Sequence, residues 1–227
     1  AASDVYKRQI KRIGFCCKYL EQDQTQKPKI LKEKQQHYTE RTTTVAWCKR
    51  QDNKVAEDKL LELVTHNMQS AYNLVEWVGT ELPAERRMVR LGSNQIPMAT
   101  EPNYRYVWDD PDTIRMLEKG FGKIGQLARD LDVRISFHPG QFCVLASDKD
   151  DVVERSIDEF EYHANMARWM GYGQEWMDMK LNVHISGRQG YQGIINILPK
   201  LSPEARNTIA IENDEMCLSL IHISEPT

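Results

Sequence analysis

Two imidazoles and one carboxylate stand out in this sequence because of where they fall. His138 closes the apolar run of "RISFHPGQF", residues 134–142; His184 lies near the end of "LNVHIS", residues 181–186; Glu212 sits in "NTIAIEN", residues 207–213, followed by Asp214 and Glu215. Each run has the length and the apolar, β-branched content of a short buried strand. In parallel α/β folds reactive groups gather at the carboxyl ends of the strands, so these three would project into one pocket. They form a mixed nitrogen and oxygen set suited to zinc, manganese or iron. Such a set binds and acidifies water and neutralises charge on a phosphoryl group, which is the work of metal-assisted hydrolysis. A single histidine at a strand end is more often a hydrogen-bonded core residue. Three ligand types at equivalent positions of successive strands favour a site.

Other residues near strand ends are candidates of a second kind. In "RLGSNQIPMATEP" a polar loop carries Ser93, Asn94 and Gln95, and Glu101 is a candidate fourth metal ligand that a solvated surface position would also explain. After His138, Pro139 and Gly140 end the strand and permit a tight turn that presents Gln141 and Phe142. An aromatic beside an amide at a loop tip can wedge into a base stack and replace lost base contacts. The competing expectation is that Phe142 caps the core. His66 and His163 fall inside helical patterns and read as ordinary helix residues, and His37 lies in a polar loop.

These groups need strands to aim them. Five short apolar segments recur, "RIGFCC" (12–17), "MVRLGS" (88–93), "VRISFH" (133–138), "LNVHIS" and "NTIAIEN". Between them, helical spacing of apolar residues runs from about Asn53 to Val78 and from about Pro111 to Leu131. A third helix is expected over "DKDDVVERSIDEFEYHANMARWMG", with Ser147 as its N-cap, early aspartates suiting its dipole and Gly171 at its close, and a short fourth helix from about Tyr191 to Leu201. The polar stretch from Lys18 to Trp47 reads as a long loop with a short helical turn. Strict β/α alternation requires a parallel sheet, either an open doubly wound one or a (β/α) barrel. No GxGxxG follows the first strand, which removes the main sign of a dinucleotide-binding open sheet. Five units are too few for a closed eight-stranded barrel of ~250 residues.

Composition sets the outer limits. The chain has 227 residues, is 41% hydrophobic and carries a formal charge of −3, which fits a globular protein that is not generally basic. No run reaches the ~18 apolar residues of a membrane span, and the opening "AASDVYKRQ" lacks the apolar core of a secretory signal, so a cytoplasmic home is expected. Cys16, Cys17, Cys48, Cys143 and Cys217 lack CxxC spacing and read as reduced, mostly buried thiols. Residues 1–9 and about 217–227 look foreign to the pattern, so the expected domain is 10–216, and His222 shares that status.

The segments "RIGFCCKYL", "TERTTTVAW", "MVRLGSNQIPMAT", "RISFHPGQF", "ERSIDEFEYHA", "NVHISG" and "LSPEARNTIAIENDE", in that order, resemble the UV damage endonuclease family over roughly residues 10–216. The resemblance implies an α/β TIM-barrel fold of the endonuclease IV type, here incomplete, with about five of eight βα units. It implies a monomeric DNA repair enzyme acting on UV-damaged double-stranded DNA, with two or three divalent metal ions, usually Mn2+, at the carboxyl face. Incision would fall 5′ to pyrimidine dimers, 6-4 photoproducts and, in some members, abasic sites. By motif, His138, His184 and Glu212 match metal-ligand positions, and Gln141 and Phe142 match the pair that probes the damaged duplex. Phe15 and Tyr19 fall at lesion-contacting positions, Phe15 where the family often has a tyrosine. Glu101 stands where related sequences often place a histidine ligand. The family's remaining ligands belong to later strands that this chain lacks. Two rival readings stay open: a metal-dependent sugar isomerase or epimerase on the same barrel, and an inactive barrel fragment with unpaired strand edges.

Overall fold

In a computed structural model of the chain, residues 11–16, 18–21, 23 and 25–212 are described. The two terminal segments expected to be foreign, together with Cys17, Asn213, Asp214, Glu215, Cys217 and His222, lie outside them. Five strands follow chain order in the sheet: β1 (Phe15–Cys16), β2 (Met88–Arg90), β3 (Arg134–Phe137), β4 (Lys180–His184) and β5 (Ile209–Glu212). The pairs β1–β2, β3–β4 and β4–β5 are parallel. The helices are α1 (Pro28–Gln36), α2 (Val45–Cys48), α3 (Asn53–Glu81), α4 (Arg105–Trp108), α5 (Pro111–Asp130), α6 (Asp150–Trp169), α7 (Gly190–Ile197) and α8 (Pro203–Thr208). The chain divides into two compact units, one of residues up to Pro97 with Lys119–Ile135, the other of Met98–Glu118 with the residues from Ser136 onward.

In the first unit α3 supplies most of the core. Ala56, Leu60, Val64, Met68, Ala71, Val75 and Val78 recur every three or four residues and are all buried. The helix ends where Leu82 turns extended before Pro83, which disfavours a helical residue ahead of it. Gly79 is the point of closest approach: a Cβ there would lie 2.6 Å from Leu131 Cβ and 3.0 Å from Val133 Cγ2. The polar stretch read as a loop holds two helices. Pro28 opens α1 at a position where its missing N–H costs nothing. Thr44 caps α2 by accepting from Trp47 N–H at 3.1 Å. Periodicity could not show α1, because none of its residues is buried.

In the second unit α6 is the main buried helix, with Phe160, Ala164, Met166 and Ala167 on its inner face. Its start corrects the expected cap. The helix begins at Asp150, and Ser147 instead accepts from Lys149 N–H within the preceding turn. Asp150 and Asp151 do lie in its first turn, beside the positive end of the dipole. Its close is as expected, with Gly171 at φ +82° and Tyr172 N–H bonded to Ala167 O. The fifth strand starts later than read, because Ser202 caps α8 through Ala205 N–H and carries the chain as helix to Thr208. Cys48 and Cys143 are buried free thiols and Cys16 is an exposed one. Burial beside Glu159 pushes the Cys143 thiol up to about 12, so it is inert packing. No described helix is long and apolar enough to cross a membrane.

Candidate metal centre

Strand register brings the ligand candidates together. β4 and β5 pair in four steps that set His184 directly beside Glu212. On β3 the register sets Phe137 beside Leu181; one residue further, His138 comes level with Asn182, which shares a face with His184 by the two-residue alternation of a strand. The burial follows that alternation, with Leu181 and Val183 buried and Asn182 and His184 half-buried. One ligand atom from each of His138, His184 and Glu212 lies within 4.8 Å of the other two. The two imidazoles meet edge to face with ring centroids 4.7 Å apart.

The hydrogen bonds of His138 specify what is missing between these groups. Its Nδ1 lies 2.9 Å from the Pro139 carbonyl oxygen, which can only accept, so Nδ1 carries a proton. That backbone bond fixes the tautomer and points the Nε2 lone pair into the cluster, the arrangement usual for metal-binding histidines. Yet Nε2 faces Glu212 Oε2 at 2.8 Å. A neutral imidazole lone pair and a carboxylate oxygen cannot share that distance without a cation between or beside them, either a second ring proton or a metal. Two imidazoles and a carboxylate are a fitting donor set for a borderline divalent ion.

The loops behind the ligands are held by backbone packing. Gly187, three residues after His184, has φ +119°, and a Cβ on it would come within 2.2 Å of Ala146 O. Gln189 locks the same contact, its N–H donating to Ala146 O at 3.0 Å and its side-chain amide to Ser147 O at 2.6 Å. The loop after β4 is thereby seated on the loop after β3. Beneath them His163, read from sequence as an ordinary helix residue, is fully buried, its Nδ1 donating to Glu159 O at 2.8 Å and its ring edge-to-face with Phe137. Burial holds its imidazole neutral down to about 4.

Gln141 and Phe142 occupy the tip of a turn closed by Cys143 N–H on Gly140 O at 2.9 Å. The base of the turn is anchored, since Cys143 Sγ donates to Ser156 O and Val144 N–H donates to Ser156 Oγ. Phe142 is 84% exposed, which corrects the expectation that it caps the core. Glu101 falls outside the three-residue group; its carboxylate accepts from Asn103 Nδ2 at 2.6 Å. Phe15 lies within β1, and its ring meets Trp77 edge-on at 6.2 Å. Tyr19 meets Tyr38 at a tilt with ring centroids 4.5 Å apart and Trp77 edge-on at 5.0 Å. Sequence reading missed the Pro139 carbonyl and the Gly187 contact. The first is a backbone group with no side-chain signature. The second was legible only as a glycine three residues past the end of β4.

UV DNA damage endonucleases of Bacillus mycoides (strain KBAB4) and Bacillus cereus (strain B4264) are each 26% identical over 181 residues, covering 77% of this chain and 53% of theirs. That of Bacillus anthracis (strain A0248) is 27% identical over 165 residues, covering 70% of this chain and 48% of its own. The chain thus spans about half the length of the curated relatives it matches. The crystal structure of SacUVDE superposes with a TM-score of 0.68 at 25% identity, covering 91% of this chain and 62% of that one, so the five-stranded parallel sheet has the TIM-barrel-like fold of that protein in incomplete form. Residues 12–224 match the model of the UV-endonuclease UvdE family, and the chain belongs to that family.

Proposed function

We propose that the protein is a DNA repair endonuclease that incises the phosphodiester 5′ to pyrimidine dimers and 6-4 photoproducts by metal-assisted hydrolysis. The observation that carries this reading is the convergence of His138, His184 and Glu212 at the carboxyl ends of β3, β4 and β5, one ligand atom of each lying within 4.8 Å of the other two. His138, His184 and Glu212 would hold that ion, with Mn2+ the member of the borderline series proposed and a site of two or three ions in a protein of full family length. A bound divalent ion supplies a Lewis acid for the phosphoryl oxygens and lowers the pKa of a water nucleophile. Glu212 provides the negative charge of the set, and the Pro139 carbonyl holds the His138 ring in the tautomer that can ligate. Glu101 would join only by exchanging its bond to Asn103.

Gln141 and Phe142 would meet the lesion. A photoproduct weakens stacking, so unstacking it costs a few kcal/mol less than unstacking sound DNA. An exposed ring on an anchored turn suits a wedge, and it argues against the closed polar pocket of a sugar isomerase. Phe15 and Tyr19 are proposed as further lesion contacts. The test is incision of an end-labelled, UV-irradiated duplex with Mn2+ by a version of full family length. A single cut 5′ to each photoproduct is expected. Normal binding of the irradiated strand with no cleavage in Mn2+ would remove the hydrolytic assignment.

A further inference from the structure

The first unit contains a polar corner that the candidate metal centre does not use. Residues 39–41 and the loop after β2, residues 92–95, are joined by two side chains. Asn67, on α3 and wholly buried, accepts from Arg41 N–H at 2.7 Å and donates through Nδ2 to Arg41 O at 2.9 Å, Asn94 O at 3.0 Å and Gln95 O at 3.1 Å. Glu40 turns inward: its carboxylate accepts from Gln95 Nε2 at 2.7 Å and from Asn94 N–H at 3.4 Å. It lies so close over Gly92 that a Cβ there would meet a carboxylate oxygen at 2.1 Å. Burial raises the Glu40 carboxyl while Lys18 is near enough to favour its charged form.

Such an investment in a backbone corner needs a reason, because a surface loop can satisfy the same groups with water. What the corner fixes is the direction of Arg41. Glu40 points in and Arg41 points out; its guanidinium is exposed and donates to Gln36 Oε1 at 2.9 Å, which leaves further donors of its fork for an acceptor from outside. Lys18, exposed just beyond β1 and near enough to act on Glu40, adds a second cation, while the Asn94 side chain is engaged with the Glu40 carboxylate. The corner lies past the carboxyl ends of β1 and β2, the end of a parallel strand at which βα proteins receive ligands. A rigid backbone under an outward guanidinium, with an ammonium on the same corner, is the chemistry that takes a phosphodiester oxygen.

We infer that Arg41 is a DNA-backbone contact of this protein, held for a phosphate by the Asn67 clamp, with Asn67 as its positioning residue. The inference rests on the proposed DNA substrate but not on the photoproduct preference. Arg41 would bind sound and damaged duplexes alike, since phosphates carry no lesion information.

The experiment is fluorescence anisotropy of two labelled duplexes, one with a single cyclobutane dimer and one undamaged, titrated with the 227-residue chain across a range of salt. Arg41→Gln is expected to weaken both complexes by the same factor, about fivefold at ~0.15 M salt, and to make the log–log salt slope shallower by about one. Arg155→Gln, at another exposed arginine, paired with Asp151, serves as control and should change neither. Asn67→Asp keeps the acceptor for Arg41 N–H and loses the three donated bonds. It should weaken binding as Arg41→Gln does, and the double variant should be no weaker than either single one, a non-additivity that independent structural damage would not produce. Wild-type affinity and slope in Arg41→Gln, or wild-type chain that binds neither duplex, would overturn the inference. Equal wild-type affinity for the two duplexes, with the Arg41 effect intact, would instead count against the photoproduct reading alone. Because Arg41 is exposed, its variant folds and decides the matter even if Asn67→Asp does not.

Discussion

His138 Nε2 stands 2.8 Å from Glu212 Oε2 while the other nitrogen of the same ring is committed to the Pro139 carbonyl at 2.9 Å. Either a second ring proton or a metal ion accounts for that approach, and added metal tells the two apart. Adding Mn2+ at about 100 times its dissociation constant should stabilise the chain by about 2.7 kcal/mol, a rise of roughly 5–10 °C in melting temperature for a chain of this size. A chelator should reverse it. Glu212→Gln keeps the shape and removes the charge, and should abolish most of the shift in a thermal melt.

Phe142 separates function from stability. Being 84% exposed, it contributes little to folding, and Phe142→Ala should leave the denaturation midpoint within about 0.5 kcal/mol of wild type. Loss of one aromatic stacking partner should weaken binding of a lesion-bearing duplex by about tenfold or more, with little change for sound DNA. Parallel denaturation and anisotropy titrations check both halves.

The buried imidazole of His163 predicts an acid-sensitive fold. Its pKa falls from about 6.5 when unfolded to about 4 when folded, so between those values the unfolded chain binds the extra proton. Its contribution is fully present above about pH 6.5 and is lost as the pH falls toward 4, on the order of 3 kcal/mol. Glu159, whose carboxyl is raised by burial, acts with the opposite sign, so the difference between wild type and His163→Leu isolates the imidazole. Melting temperatures from pH 7.5 to 4 should fall less steeply in the variant.

Gly79 tests the packing of the first unit. Alanine in a helix interior usually gains up to about 1 kcal/mol over glycine. Here the added methyl would press on Leu131 and Val133, and overpacking costs about 1–3 kcal/mol. Gly79→Ala should therefore lower the urea midpoint by the equivalent of about 1–2 kcal/mol, against the propensity trend.

The three clustered residues were legible because a strand leaves a simple trace, an apolar run with its reactive group at the far end, and three runs repeated it. Helices α3 and α5 were legible for the same reason, through a buried face at a regular period, and α6 through its early aspartates and closing glycine. Helix α1 was not, since it buries nothing and its polar composition resembles a loop. The Ser147 cap misled because a serine can accept from a turn as readily as from a helix, and only the backbone dihedrals decide. Asn67 and Glu40 escaped notice because a buried amide inside an amphipathic helix, and a glutamate in a polar stretch, reveal nothing until their partners from distant loops arrive. Gln141 and Phe142 were read as a presented pair, and the turn that anchors them through Ser156 depends on a helix many residues later.

The central claim is that two imidazoles and Glu212 bind one divalent cation together. Electron spin-echo spectroscopy of Mn2+ added to the chain reads this directly, since ligating imidazole imposes a nitrogen modulation on the echo. The account predicts such modulation in the wild type, its reduction in His138→Ala and its loss when His184→Ala is added. A wild-type echo indistinguishable from that of Mn2+ in water, at concentrations where the protein is folded, would contradict it.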